Sequence, residues 1–489
     1  MTDNLVLDIK SRLLNRENIF ISGPGGTGKS YLVKNTILQV CNDNKLTIAV
    51  TSTTGVSALG VGGQTVHRWS GIKLGKESAF VICKRIRENG RECRKRWTET
   101  DVLVIDEISM LGQKTFELLD AVGRNLRGCK DRPFGGLTLV VTGDFLQLPP
   151  VNDEFCFKSP TWDQLDLTYY RLTEPKRFPD INHFELLQRA RVGKLSGEDI
   201  EALRSRTRAY TEYIGGGGEG RDSIKPTRIF SLKKDVEAYN LAELEKLPRP
   251  ERVYKPEDIF TPKTQGDVLK PEEIADYQTY LDTIIPPLLT FRVGAQVMLT
   301  YNISVDDGLV NGSRGVVREI RPEGLVVAFR NGVEMFVPPI KTEYEDSRVK
   351  IIRAQVPFIL AWGISIHKCQ GATLDYAIVD IGNTIFAPGM AYVALSRVKT
   401  LDGVYISCFN SKRVYADESA LEFEYLIEDM AVVAGMSGLS LTPVEKTPES
   451  ETGETEDDND EPGFCGEYHS CDYDGDNTGV DNSIEDDEP

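Results

Sequence analysis

Eight residues constrain this chain more than any others. GPGGTGKS, at positions 23–30, sits between an apolar run (NIFIS, 18–22) and a helix-forming segment (SYLVKNTILQV, 30–40). Gly23, Gly25, Gly26 and Gly28 let successive backbone N–H groups turn toward one point, with Thr27 closing the loop. The N-terminus of the following helix adds a field that favours anions. In that cradle Lys29 is placed to reach the β- and γ-phosphates of a nucleoside triphosphate, and the Ser30 hydroxyl to ligate Mg²⁺. A chain that opens this way is expected to be α/β, built on a parallel sheet.

Two further apolar runs end in polar clusters. VLVI (102–105) leads into Asp106 and Glu107, and LTLVVT (137–142) leads into GDFLQ (143–147); IAVTS (48–52) reads as a fourth strand. Continuous apolar strands suit a sheet covered on both faces, and ligands of such sheets bind at the carboxyl ends of the strands. Asp106 is suited to hold Mg²⁺ and Glu107 to position and deprotonate a water molecule. The Gln147 amide is suited to sense the γ-phosphate. Arg177 (in TEPKRF) and Arg397 (in YVALSR) are expected to complete the site from a second domain, where charge develops on the transferred phosphoryl group.

After Pro150 the pattern changes. Residues 171–290 mix helical segments with GGGG at 215–218 and a Pro-rich stretch, 248–287, that reads as irregular connection. Short alternating segments follow to about 340, with Asn331–Gly332 as a hairpin turn, which predicts a small β-barrel insert. Strand–helix alternation then returns to about residue 435. The expected domains are 1–170, 171–290, an insert at 291–345, 346–440, and a tail at 441–489.

Together these segments resemble the petite integration frequency (PIF) family of superfamily 1B DNA helicases. Motif I resembles GPGGTGKS, motif Ia TSTTGVSALGVGGQTVHRWSGI (51–72), motif II IDEISM (105–110) and motif III GDFLQLPP (143–150). Motif IV matches at Arg177, motif V at AWGISIHKCQGATLD (361–375) and motif VI at AYVALSRVKTLDGV (391–404). The resemblance implies two RecA-like P-loop motor domains, with an SH3-like β-barrel inserted in the second and ATP bound between them. It adds Gln370 and Gly371 of motif V to the nucleotide site. It also implies 5′ to 3′ movement on single-stranded DNA and opening of forked duplex DNA. The family carries a glutamine before the P-loop that reads adenine; residues 1–22 contain none, so base selection is expected to be looser.

A net charge of −18 is concentrated at one end. Residues 443–489 hold 18 acids and one lysine, which leaves the body at −1. The tail is expected to be disordered and to bind a protein partner or compete with nucleic acid. The most basic stretch, 71–97, has nine lysines and arginines against three acids and matches the region that carries a duplex-splitting wedge in related helicases. Within and around it, Lys84 and Arg85 are expected to meet phosphates. Thr53, Thr65, His367, Lys368 and Gln370 are expected to make sequence-blind contacts, and the rings of His67 and Trp69 to stack on bases. Nine cysteines without a CxxC pair argue against a zinc site or disulfide framework. No run of 18 apolar residues and no signal peptide is visible, so an intracellular monomer is expected. Two alternatives share the same phosphate site: a translocase that strips proteins without separating strands, and a nucleotide-switched binding protein.

Overall fold

The computed structural model describes residues 3–73, 75–215, 224–263, 268–284, 287–301, 303–304, 307, 309, 312–345, 349–430 and 432–434. Around the phosphate loop lies a seven-stranded parallel sheet, ordered Val432–Ala434, Thr168–Leu172, Ile19–Ser22, Thr138–Gly143, Val102–Asp106, Ile48–Ser52, Gln64–Thr65. Its central strands, Ile19–Ser22, Thr138–Gly143 and Val102–Asp106, bury both faces because successive side chains point to opposite sides. Phe20, Leu103, Ile105, Leu139 and Val141 enter one core with Trp97 and Phe116. Ile19, Ile21, Val102, Val104 and Val140 enter the other, with Ile9 and Leu13 of helix Asp3–Leu14.

A second parallel sheet runs Gly363–Ser365, Thr227–Phe230, Ala377–Ile381, Val404–Phe409. Its core takes Ile229, Val379 and Ile406 together with Phe184 and Leu187 of helix Ile181–Arg191. The two sheets with their helices are two RecA-like domains.

The insert is a five-stranded antiparallel sheet, Glu334–Val337, Gly324–Phe329, Arg314–Arg321, Gln296–Leu299, Phe358–Leu360, with Val297, Val317, Val327 and Phe358 in its own core. The expected insert, 291–345, needs two corrections. Phe358–Leu360 joins it, whereas Ile340–Glu345 leaves it to pair with Val349–Gln355, which pairs in turn with Glu257–Pro262. The stretch 248–287 is likewise not irregular: it forms strands Glu251–Tyr254 and Glu257–Pro262 and helix Pro271–Ile284. Pro250, Pro256, Pro262 and Pro271 lie at or next to element ends, where the missing N–H costs little. The buried Arg353 guanidinium ties strand to helix, bonding Asp258 at 2.7 Å and Asp282 at 2.9 Å.

The end of the described chain also departs from expectation. The sequence places 346–440 in the second domain, whereas Val432–Ala434 pairs with Thr168–Leu172 of the first. Helix Glu418–Met430 puts Ala420 and Ile427 into the first domain's core, and its Glu424 and Glu428 pair with Arg171 at 3.4 and 2.5 Å. The basic stretch folds as helices Ala79–Asn89 and Arg91–Glu99, seated on that core through Ile82, Ile86, Cys93 and Trp97. Among the described residues no helix is long and apolar enough to cross a membrane. The acidic tail and most of GGGG lie outside the described residues.

Because Ile427 is fully buried in the first domain's core, Ile427→Ala is expected to destabilise that domain by about 2–5 kcal/mol in denaturant unfolding. A change below about 0.5 kcal/mol, the scale of surface substitutions, would show that the C-terminal helix is not part of that core.

Candidate active site

The phosphate loop follows strand Ile19–Ser22 and needs its glycines for space as well as conformation. Gly26 has φ +87°, and a Cβ there would lie 2.8 Å from both the Arg177 Cβ and the Phe178 ring. Lys29 is buried and its Nζ donates to the carbonyls of Gly23 (2.5 Å) and Pro24 (3.0 Å). Burial pushes its ammonium pKa below the ordinary value, against the pull of Asp144, Glu107 and Asp106.

The Ser30 hydroxyl donates to Asp106 Oδ2 at 3.2 Å, and the Thr142 hydroxyl donates to Asp106 Oδ1. Burial first, then the neighbouring Glu107 charge, pushes the Asp106 carboxyl up to about 6. Glu107 holds a left-handed backbone (φ +55°) at the strand end. Its carbonyl accepts from the Thr53 hydroxyl at 2.9 Å, and its carboxylate accepts from Gln370 Nε2 at 3.1 Å. Gly371 lies beside it: a Cβ there would sit 3.9 Å from Glu107 Oε1.

The second RecA-like domain closes over this floor. Helix Met390–Leu395 brings Tyr392, whose hydroxyl accepts from Gly25 N–H at 2.9 Å. Arg397 follows, 1% exposed, held by Val393 O (2.8 Å) and Ser396 Oγ (2.7 Å). Arg177 differs from expectation in its attachment. The backbone N–H groups of Lys176 and Arg177 donate to Gly26 O, so Arg177 is anchored on the phosphate loop, and its guanidinium reaches the second domain at Ser396 O (3.1 Å). Burial, then the like charge of Arg397, pushes its pKa down to about 10.

These groups line one cavity of about 950 Å³ with Gly25, Gly26, Gly28, Lys29, Ser30, Glu107, Gln147, Gly371, Arg177 and Arg397 on its wall. Gln147 Nε2 donates to Asp144 Oδ2 at 3.2 Å. Among the described residues the amide oxygens of Gln147 and Gln370 are buried without a partner, which leaves two acceptors suited to a water molecule. The oxygens of Ser30 and Asp106 form a hard donor set of the kind Mg²⁺ takes together with phosphate oxygens. The residues present therefore fit a triphosphate with its cation.

The expected nucleic-acid residues divide. Trp69 is corrected: it is 1% exposed and packs against Trp97 at 4.6 Å, so its ring is a core element and not a stacking platform. Arg85 is half-buried and tied to Glu77 and to Gly71 O, so it holds the local fold. Thr65 caps helix Val66–Ser70 through its hydroxyl, and Thr53 is bound to Glu107. Lys84 and Lys368 are exposed, and His67 and His367 are half-buried. Sequence reasoning missed Tyr392, Asp144 and Arg191. The first two lie within quoted motifs; Arg191 carries no local signal. It also missed Arg68, which reaches from motif Ia to Glu343 O (2.7 Å) and lies over the Tyr344 ring at 4.7 Å.

Two RecA-like domains sharing a phosphate cleft define the two-domain P-loop class. A family model described as PIF1-like helicase matches residues 6–199, and one described as DNA helicase Pif1, 2B domain, matches residues 281–320. The ATP-dependent DNA helicase PIF1 of Xenopus laevis is 36% identical over 429 residues, covering 86% of this chain and 63% of that protein. That of Homo sapiens is 36% identical over 422 residues, covering 84% and 61%. The crystal structure of Pif1 helicase from Candida albicans matches with a TM-score of 0.72 at 30% identity, covering 87% of this chain and 99% of that one. The chain belongs to the PIF1-like helicase family. It spans just over three-fifths of the length of these two curated relatives.

A cation held by Asp106 would need that carboxyl ionised, and burial with the Glu107 charge raises its pKa to about 6. Apparent Mg²⁺ affinity, read by titrating Mg²⁺ into the protein with a fluorescent triphosphate, is expected to fall about tenfold per pH unit below that point and to level off above it. An unchanged Mg²⁺ requirement between about pH 5 and 7 would contradict the assignment.

Proposed function

We propose that the chain is an ATP-driven DNA helicase that moves 5′ to 3′ along single-stranded DNA and separates duplex ahead of it. One observation carries this reading. Lys29, Ser30 and Glu107 of one RecA-like domain face Arg397 of the other across a cleft, with Asp106 bonded to Ser30 beneath it and Tyr392 joined to Gly25 beside it. Such a site couples the state of a triphosphate to the spacing of two bodies.

In this reading Lys29 leaves the loop carbonyls for the β- and γ-phosphates, and Glu107, steadied by Gln370, takes the proton of the attacking water. Gln147 orients that water through its free amide oxygen. Arg177 and Arg397 meet the negative charge that grows on the phosphoryl oxygens. Ser30 and Asp106 would hold Mg²⁺, which would neutralise charge on the phosphates. Alternate tightening and release of the cleft moves DNA contacts made by His67, His367, Lys368 and the exposed lysines of the basic helices. The names of the curated relatives support the DNA substrate.

Paired forks test polarity and strand separation together. With ATP and Mg²⁺, the 5′-tailed fork is expected to open and the 3′-tailed fork to stay closed. Lys29→Ala should lower the opening rate at least about a hundredfold by removing a charged phosphate contact. Movement without separation of the 5′-tailed fork would favour the protein-stripping translocase, and equal opening of both forks would sink the polarity.

A further inference from the structure

The hydroxyl of Tyr392 is not a phosphate ligand in the scheme above, yet it occupies a singular position. Helix Met390–Leu395 is buried at every residue and starts at Gly389, where a Cβ would lie 2.3 Å from Gln147 O. No side chain at 389 fits without moving the Gln147 loop. Within this helix Tyr392 accepts from Gly25 N–H at 2.9 Å and lies 3.5 Å from Asp144 Oδ2. At the helix end, Arg397 is held by Val393 O and Ser396 Oγ, so its guanidinium moves with the helix. A Cβ at Gly25 would lie 3.3 Å from the guanidinium, 3.4 Å from the Tyr392 hydroxyl and 3.7 Å from Ser396 Oγ. The phosphate loop, tyrosine and arginine therefore meet at one point.

Asp144 supplies the second fixed partner. It is fully buried and accepts from Arg191 at 2.8 Å, Gln147 Nε2 at 3.2 Å and Leu146 N–H at 3.2 Å. Arg191 also pairs with Glu424 at 2.8 Å. One carboxylate thus fixes the Gln147 loop and faces the tyrosine that spans to Gly25. Burial, then the Asp144 charge, raises the Tyr392 phenol well above its ordinary value, so the hydroxyl keeps its proton and can accept from Gly25 while facing the carboxylate.

We infer that Tyr392 is a positioning residue for hydrolysis: its hydroxyl registers the helix that carries Arg397 against Gly25 of the phosphate loop. The inference rests on the reading of this cleft as a hydrolytic site. Tyr392→Phe keeps the ring and removes the one atom that makes the contact. It leaves Gly25 N–H buried without its partner and lets the helix, with Arg397, shift against the loop. Because Tyr392 touches no phosphate in this scheme, the change should fall on turnover and not on nucleotide capture.

The experiment measures ATP hydrolysis with saturating single-stranded DNA for wild type, Tyr392→Phe, Arg397→Ala and the double variant. Tyr392→Phe is expected to lower kcat about tenfold, the rate equivalent of one buried hydrogen bond, with KM within about twofold. In the Arg397→Ala background the same change should cost nothing further, because the arginine it positions is gone. Losses that multiply, an altered KM with unchanged kcat, or an unchanged kcat would each overturn the inference. Wild type that hydrolyses no ATP would instead refute the proposed function, so the two failures are told apart.

Discussion

A single backbone amide, Gly25 N–H, joins the two halves of this molecule at the place where chemistry is expected. It belongs to the phosphate loop of the first RecA-like domain and donates to Tyr392 of the second. Around it Arg177 reaches Ser396 O, Gln370 reaches Glu107, and Gly389 presses on the Gln147 loop. None of these contacts is strong alone; a hydrogen bond nets about 0.5–1.5 kcal/mol. Their value lies in being made by side chains that are buried and already fixed, so closing the cleft orders little that was free. A site divided in this way can report its contents to both halves, which a site built on one sheet cannot.

The buried Asp144 explains why this joint is stiff. Burial opposes its charge, and the Arg191 guanidinium more than offsets that, holding the carboxyl below its ordinary range. Arg191 comes from helix Ile181–Arg191 of the second core, and Glu424, its other partner, from the C-terminal helix packed on the first. Removing either partner of such a pair leaves an uncompensated charge, which is costly, so the cluster holds one arrangement of helix, loop and sheet. The C-terminal helix and strand Val432–Ala434 therefore belong to the frame of the first RecA-like domain and are not an appendage.

Legibility in the sequence followed locality. GPGGTGKS, VLVIDE and TGDFLQLPP each place a polar cluster directly after its own strand, so strand, turn and chemistry were readable within about ten residues. Ser30 is bonded to Asp106, and Ser30 and Glu107 share one cavity wall. What could not be read depended on distant partners. Tyr392 and Asp144 are 248 positions apart, and strand Val432–Ala434 is three residues long, below any periodic signal. Trp69 reads the same in sequence whether it meets a base or Trp97; only burial decides. The Pro-rich stretch 248–287 reads as irregular chain because the placement of Pro250, Pro256, Pro262 and Pro271 at or next to strand and helix ends appears only once those elements pair.

The proposed function requires an arginine carried by the second domain to complete a hydrolytic site on the first. Single-turnover ATP hydrolysis by Arg397→Ala, with and without single-stranded DNA, tests it most directly. Nucleotide binding should persist while hydrolysis falls by about 10³ or more, the scale expected for such an arginine, and added DNA should no longer accelerate it. Hydrolysis by that variant that DNA still stimulates to the wild-type rate would contradict the account.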